Sequence, residues 1–219
     1  MTKKTRTELS PIEEAIEEYR KGRFVIIVDD EDRENEGDLT MAASWVTPEA
    51  VNFMIRWARG LLCMPSAPSV LDALELAPMV PPDQAGCDTA FTVSIDHRDA
   101  GSGIGAADRA LTIRRAADPD MQSNEFKQPG HVFPLRARPG GTLERRGHTE
   151  AAVDLAVLAG LPPVAMICEV LDHDGSPARF DALKEFAADH RIAIISVEQV
   201  AEHRKASAAE TRAPATLVL

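Results

Sequence analysis

The residues of this 219-residue chain that could do chemistry begin with an acidic run at positions 29–38, "DDEDRENEGD". Seven of these ten residues are Asp or Glu. Packed carboxylates repel one another, and water, an arginine or a cation relieves that repulsion. Hard oxygen ligands of this kind suit Mg²⁺ or Mn²⁺ better than zinc. The run therefore indicates either a solvated surface loop or part of a divalent-cation site.

A calcium loop of the EF-hand type does not fit the spacing of this run. If the loop begins at Asp30, Asn35 occupies the position that requires glycine. If it begins at Asp32, Gly37 fits, but Ala43 stands where the bidentate glutamate belongs. The run therefore does not match a self-contained calcium site.

A second candidate site lies in "RRGHTEAAVDLA", where His148 and Thr149 begin a predicted helix with Thr149 as its N-cap. Free backbone N–H groups at a helix start bind phosphate, and Arg145 or Arg146 is near enough in sequence to close such a pocket. The alternative is a capped helix that carries a surface histidine. A histidine at such a site could also ligate a metal if a carboxylate from elsewhere joins it.

Two further ionisable residues lie in apolar or rigid surroundings. Glu169, in "PVAMICEVL", shares a strand face with apolar residues, so it is either paired, functional or emerging into water at the strand end. His131 lies between Pro129 and Pro134, which stiffen the backbone, and a rigidly held histidine suits acid–base work. A lone histidine is more often structural, so His131 alone does not establish a site.

Helices alternate with apolar strands along the chain, which predicts one α/β domain of stacked layers. The apolar run at 24–28 predicts a buried strand that ends where the acidic run begins, and open α/β sheets often bind ligands at such an edge. The middle predicts a strand at 90–96, a loop at 118–130 and an extended segment at 131–137. The last third predicts alternating helices and strands at 148–160, 163–171, 178–190, 192–197 and 198–205.

Composition argues against several classes of protein. The net charge of −11 disfavours non-specific nucleic-acid binding, which usually needs a basic face. No window approaches the ~18 continuous apolar residues of a membrane helix, and residues 1–10 lack a signal-peptide core, so we expect a cytoplasmic protein without a membrane partner. Three scattered cysteines argue against a disulfide framework or a zinc site. Residues 1–206 are predicted to form the domain, and 207–219 a flexible C-terminal tail.

Four segments, "DDEDRENEGDL", "GHVFPLRA", "RRGHTEAAVDLAVLAGL" and "ICEVL", occur in this order and resemble the 3,4-dihydroxy-2-butanone 4-phosphate synthase family of riboflavin biosynthesis. The resemblance runs from about residue 12 to about residue 204. It implies a lyase that converts D-ribulose 5-phosphate to 3,4-dihydroxy-2-butanone 4-phosphate and formate. It also implies Mg²⁺ or Mn²⁺ as cofactor, with two ions per site, a three-layer α-β-α domain with a mixed sheet, and a homodimer with shared active sites.

The resemblance also implies roles for individual residues. Glu34 and His148 would be the metal ligands. Asp38, His131 and Glu169 would be the catalytic residues. The residues that would contact the sugar phosphate are Arg33, Glu34, Asp38, Arg145, Gly147, His148, Thr149 and Glu169.

The chain departs from the family pattern at two positions. Many relatives have a small residue at Arg146, which here either adds phosphate affinity or faces solvent, and relatives tend to carry Ser at Gly105. Many relatives also carry a GTP cyclohydrolase II domain, but this chain has no cysteine cluster for that domain's zinc, so we expect a single activity. A non-catalytic sugar-phosphate binder and a metal-dependent phosphatase are the alternatives, and the intact set of ionisable residues argues against the first.

Overall fold

A seven-stranded mixed sheet is the middle layer of the protein in the computed structural model, which describes residues 9–212. The strands are β1 (Val25–Val28), β2 (Gly37–Ala42), β3 (Cys63–Ser66), β4 (Ile95–His97), β5 (Phe126–Arg136), β6 (Ala165–Glu169) and β7 (Ala193–Ser196). They run in the order β4-β5-β3-β6-β2-β1-β7 across the sheet. The β1–β7 and β3–β5 pairs are parallel, and the other four pairs are antiparallel.

Helices cover both faces of the sheet, which confirms the predicted three-layer α-β-α arrangement. The α-helices of residues 9–212 are α1 (Ile12–Arg20), α2 (Pro48–Trp57), α3 (Pro68–Ala73), α4 (Ala106–Ala116), α5 (His148–Leu158), α6 (Phe180–His190) and α7 (Val197–Arg212). One face of the sheet is packed by α1, α5 and α7, and the other by α2, α4 and α6.

Strand β1 is buried on both faces because it lies between these two helical layers. Val25 and Ile27 pack into the α1–α5–α7 layer, and Ile26 and Val28 pack into the opposite layer. Full burial of a side chain of this size contributes about 1.5–3 kcal/mol. The acidic run therefore starts from a rigid strand end, as its apolar neighbours predicted.

Strand β2 is an element that the sequence pattern did not predict. Its residues, "GDLTMA", alternate polar and apolar types from Asp38 to Met41, as in a half-exposed strand, yet all six are buried between β1 and β6. These residues are buried because helices cover both faces of the sheet at β2, and not because the segment itself is apolar. As a result, the end of the acidic run, including Asp38, belongs to the sheet rather than to a loop.

The edge of the sheet also differs from the prediction. The strand predicted at 90–96 is reduced to β4, with only isolated bridges at Phe91 and Thr92. Strand β5 begins at Phe126, inside the segment predicted to be a loop, because Phe126 and Lys127 pair with β4. The register then shifts between Ile95 and Asp96, so residues 128–131 form a bulge, a feature compatible with a proline in a strand.

The last helix is longer than its sequence pattern indicates. It was predicted at 198–205 and extends to Arg212, so the proposed boundary at residue 206 falls within it. The rest of the proposed tail, 213–219, lies outside the described residues. Within residues 9–212, no helix combines the length and the apolar composition needed to cross a membrane.

Candidate active site

Asp29 organises the loop that carries the acidic run. It is fully buried, and its carboxylate accepts hydrogen bonds from the backbone N–H of Glu34 (3.1 Å) and of Glu36 (2.9 Å). The same carboxylate accepts one from the Arg33 guanidinium at 2.8 Å. Charge-assisted bonds of this kind are stronger than neutral ones. Asp29 therefore fixes the backbone around Glu34, a role that composition alone did not indicate.

Arg179 holds the same loop from the other side. This residue immediately precedes α6, and its Nη1 donates to the carbonyl oxygens of Glu34 (2.8 Å) and Asn35 (2.7 Å). Asn35 has φ 52°, a left-handed conformation that asparagine tolerates better than most residues. The backbone of Glu34 is thus held at its N–H by Asp29 and at its carbonyl oxygen by Arg179.

Asp38 and Glu169 are direct partners on the antiparallel strands β2 and β6. Asp38 is 4% exposed, and burial, together with the negative charges of Glu169 and Glu34, raises its pKa to about 7 although His148 opposes this. Glu169 is not simply emerging into water, because its Oε2 accepts a hydrogen bond from the Leu61 backbone N–H at 2.8 Å. Two carboxylates of different environment therefore lie side by side at one end of the sheet.

The backbone passes very close to Glu169 at Gly60. A Cβ at this position would lie 2.5 Å from both the Glu169 carbonyl oxygen and its Oε2. Only glycine permits that approach, which brings the Leu61 N–H onto the carboxylate. Glu169 is consequently fixed by a segment outside its own strand.

His148 is the first residue of α5 and is 7% exposed. Its Nδ1 lies 3.6 Å from Glu34 Oε2, and its buried Nε2 has no hydrogen-bond partner within residues 9–212. The histidine and Arg33 lower the pKa of Glu34 to about 2. Burial alone would lower the pKa of His148, but the charge of Asp38 and the contact with Glu34 raise it to about 9. In the metal-free chain the pair is therefore ionic.

Three of these side chains have the donor types and spacing of a cation site. Asp29, Glu34 and His148 each offer one ligand atom, and these atoms lie within 4.8 Å of one another. Asp29 already accepts three N–H donors, whereas Glu34 is half exposed and His148 has an unpartnered nitrogen. Carboxylate and imidazole together suit a divalent ion such as Mg²⁺ or Mn²⁺ once the histidine is neutral. Glu34 and His148 thus fit the predicted metal, and Asp29 supports them.

The start of α5 differs in detail from the prediction. Its N-cap residue is Gly147 rather than Thr149, because the helix already begins at His148. Glycine has no side chain that could cap the helix. A Cβ at Gly147 would lie 2.2 Å from Nη1 of Arg145, so glycine lets that guanidinium fold over the helix start. Arg145 is held there by the buried Glu150, at 2.6 Å. Backbone N–H groups and an oriented guanidinium together suit a phosphate.

These elements line one open cleft. Seven of the predicted site residues line it, with Gly147 adjoining them at the start of α5. Four other lining residues were not indicated by the sequence. Glu36 follows Glu34 in the loop, Leu135 and Ile167 are apolar, and no local sequence pattern points to Thr89. The full lining is Arg33, Glu34, Glu36, Asp38, Thr89, Leu135, Arg145, His148, Thr149, Ile167 and Glu169.

His131 is the predicted site residue that this cleft does not include. It lies on β5 four residues before Leu135, on the order of 13 Å along an extended strand. Its ring contacts Asp96, with Nδ1 2.7 Å from Oδ2. Within one chain, His131 is therefore separated from Asp38 and Glu169.

The two departures from the family pattern lie outside the lining as well. Arg146 forms an ion pair with Glu198 of α7 at 3.4 Å and is not among the residues that line the cleft. Gly105 is the N-cap residue of α4, where an added Cβ would meet Asp108 at an ordinary contact distance of 3.5 Å. Neither position alters the residues of the cleft.

Comparison with known proteins identifies one protein family over most of the chain. Residues 13–203 match the family model for 3,4-dihydroxy-2-butanone 4-phosphate synthase. The riboflavin biosynthesis protein RibBA of Aquifex aeolicus is 52% identical over 207 residues, covering 93% of this chain and 51% of that protein. The 3,4-dihydroxy-2-butanone 4-phosphate synthase of Wolinella succinogenes is 50% identical over 196 residues, covering 90% and 56%. This chain therefore spans about half the length of these curated relatives.

A solved structure has the same fold over almost the whole length of this chain. A 3,4-dihydroxy-2-butanone 4-phosphate synthase in complex with two magnesium ions superposes with a TM-score of 0.87 at 40% identity. The match covers 90% of this chain and 97% of that one. The open, mixed α/β fold is therefore shared by the two chains.

Proposed function

The chain belongs to the 3,4-dihydroxy-2-butanone 4-phosphate synthase family, and on that basis we propose that it is a lyase of riboflavin biosynthesis. Its substrate would be D-ribulose 5-phosphate, and its products 3,4-dihydroxy-2-butanone 4-phosphate and formate. The observation that carries the proposal is the convergence of three elements in one cleft. Glu34 and Asp38 come from one segment, and the start of α5 and Glu169 on β6 join them from more than a hundred residues away.

Glu34 and His148 would hold the divalent cofactor, Mg²⁺ or Mn²⁺, with two ions per site. When bound, such ions supply Lewis-acid stabilisation of the negative charge that develops on oxygen next to a carbonyl. The relative with two magnesium ions and the donor set of this cleft support that cofactor. Arg33, held against Asp29 and Glu34, would contribute a fixed positive charge beside the sugar.

Enolisation, loss of water, skeletal migration and formate release require protons to move at several atoms of the substrate. Asp38 suits this work because, with a pKa near 7, both of its protonation states are accessible at neutral pH. Glu169 would act beside it, with its carboxylate oriented by the Leu61 N–H. In the homodimer that we propose, His131 would reach the cleft of the partner subunit and complete the acid–base set.

The phosphate would bind at the start of α5 and take no part in bond breaking. Arg145, Gly147 and Thr149 would hold it through a guanidinium, backbone N–H groups and a hydroxyl. Binding energy from this remote group helps to hold the reacting carbons in a productive position. An incorrectly placed phosphate would therefore slow the reaction as well as weaken binding.

An assay that follows two products from ribulose 5-phosphate and Mg²⁺ tests this function. Formate should be released together with a phosphorylated four-carbon product, and the Glu34→Ala variant should give neither above background. Release of inorganic phosphate without that product would instead identify a phosphatase. Binding of ribulose 5-phosphate without any turnover would identify a non-catalytic sugar-phosphate binder.

A further inference from the structure

Asp96 contacts His131 through both of its carboxylate oxygens. Oδ1 accepts a hydrogen bond from the His131 backbone N–H at 2.9 Å, and Oδ2 lies 2.7 Å from Nδ1 of its ring. The Asp96 side chain is 11% exposed, whereas that of His131 is 43% exposed. One buried carboxylate therefore fixes both the main chain and the ring of a histidine that remains open to solvent.

Two glycines allow this contact by bringing backbone against it. A Cβ at Gly103, which has φ 85°, would lie 2.0 Å from Asp96 Oδ2 and 2.5 Å from His131 Nδ1. A Cβ at Gly130 would lie 2.0 Å from the Ile95 carbonyl carbon, inside the β5 bulge. The Gly130 N–H is in turn held by the Ser94 hydroxyl at 3.1 Å. The pair is thus enclosed on its Asp96 side by closely packed main chain.

We propose that Asp96 is a positioning residue, which holds the neutral His131 ring as the tautomer protonated on Nδ1 and leaves Nε2 to exchange a proton with substrate. A carboxylate bonded to one ring nitrogen fixes which nitrogen carries the proton, and it also orients the ring. This inference rests on the proposed function, because it assigns Asp96 a role only through His131. Asp96 itself would not touch the substrate.

A purely structural role for Asp96 predicts different behaviour. In that case the carboxylate would only hold the bulge through the His131 N–H, and the tautomer of the ring would not affect turnover. Asp96→Asn separates the two roles, since the amide oxygen still accepts from the backbone N–H. Its NH₂ group, however, faces Nδ1 as a donor, which requires the proton to move to Nε2.

The test combines ¹⁵N NMR of histidine-labelled protein with steady-state kinetics. His131→Gln identifies the His131 resonances, and Asp99→Asn is the matched control because its carboxylate is 73% exposed and faces His97 instead. In wild type and Asp99→Asn, the neutral His131 ring should carry its proton on Nδ1. In Asp96→Asn the proton should lie on Nε2, with kcat at least about tenfold lower and KM within about twofold.

Two results would overturn the proposal. One is an unchanged tautomer in Asp96→Asn, and the other is a switched tautomer with kcat within twofold of wild type. If wild-type protein releases no formate, the proposed function fails, and the NMR measurement by itself then decides whether Asp96 sets the tautomer. The two failures are therefore distinguishable.

Discussion

Nδ1 of His148 lies 3.6 Å from Oε2 of Glu34, although the two residues are far apart in the sequence. The contact joins the start of α5 to the end of β1 through the acidic loop, and it is made on the side where Asp38 and Glu169 face the cleft. In the metal-free chain the two groups are oppositely charged, because the pKa of His148 is raised and that of Glu34 is lowered. A divalent cation would replace the histidine proton as the partner of the carboxylate.

The metal-binding role of Glu34 can be separated from the general charge of the loop. Glu34→Gln should weaken Mn²⁺ binding by at least about tenfold, because it removes a charged ligand while keeping the side-chain volume. Asp32→Asn removes the same charge from an exposed neighbour and should change affinity little. Titration calorimetry or Mn²⁺ electron paramagnetic resonance gives both values. Equal losses in the two variants would show that the loop attracts cations only through its overall field.

Arg179 should support metal binding without touching the ion. Arg179→Met removes the two hydrogen bonds to the carbonyl oxygens of Glu34 and Asn35, so the ligand loop loses its hold on that side. We expect a tenfold to hundredfold weaker metal affinity, the range usual for groups that orient a ligand. Arg114→Met, at an exposed position on α4, is the control. Unchanged affinity in Arg179→Met would mean that Asp29 alone fixes the loop.

Phosphate recognition should depend on Arg145 far more than on its neighbour. Arg145→Lys loses the planar guanidinium that Glu150 orients, so kcat/KM for ribulose 5-phosphate should fall by about tenfold or more. Arg146→Lys is a matched control, because Arg146 pairs with Glu198 and lies outside the cleft lining. Steady-state kinetics measures kcat/KM of both variants. An equal fall in kcat/KM for the two would contradict this assignment.

Asp38 should reduce the stability of the metal-free protein at neutral pH. Its folded-state pKa of about 7 lies above the ordinary value of 3.8, so the free energy of unfolding falls as pH rises from about 4 to about 7. The resulting cost, of order 2–4 kcal/mol, persists above pH 7. Asp38→Asn should therefore be more stable than wild type at pH 8, with a smaller gain at pH 4.

Urea denaturation in EDTA at these two pH values measures the effect of Asp38→Asn. The variant should also lose turnover, because Asn can neither accept nor return a proton. A variant that is less stable than wild type at pH 8 would show that the ionised carboxylate is stabilised by His148 rather than destabilised by burial.

Much of the fold follows from hydrophobic periodicity. The apolar run that became β1 and the helix–strand alternation of the last third predicted a layered α/β domain, and this prediction is confirmed. Strand β2 was missed although Asp38 to Met41 alternate polar and apolar residues, because so short a polar stretch at the end of an acidic run resembles a loop. Its polar residues are buried by neighbouring strands and helices, which local sequence does not show. For the same reason, the depth of Asp38 and the raised pKa that follows from it were not predictable from local sequence.

The site residues were found through motifs, and the contacts between them required the structure. The motifs indicated Glu34, His148 and Arg145, but no sequence pattern shows that Asp29 accepts backbone N–H groups or that Arg179 holds the loop. Such contacts join distant segments through the sheet. For His131 the motif was recognisable in the sequence, but the residue does not line the cleft of its own chain. Its catalytic role remains a prediction that depends on the proposed dimer.

We expect Glu34 and His148 to bind the same divalent ion in this cleft. A crystal grown with Mn²⁺ and ribulose 5-phosphate tests this most directly, because anomalous scattering identifies manganese by its own signal. We predict a peak bonded to the Glu34 carboxylate and to a ring nitrogen of His148, at about 2.0–2.2 Å from each, with the substrate phosphate at the start of α5. A manganese peak that contacts neither residue, in a cleft occupied by substrate, would contradict the account.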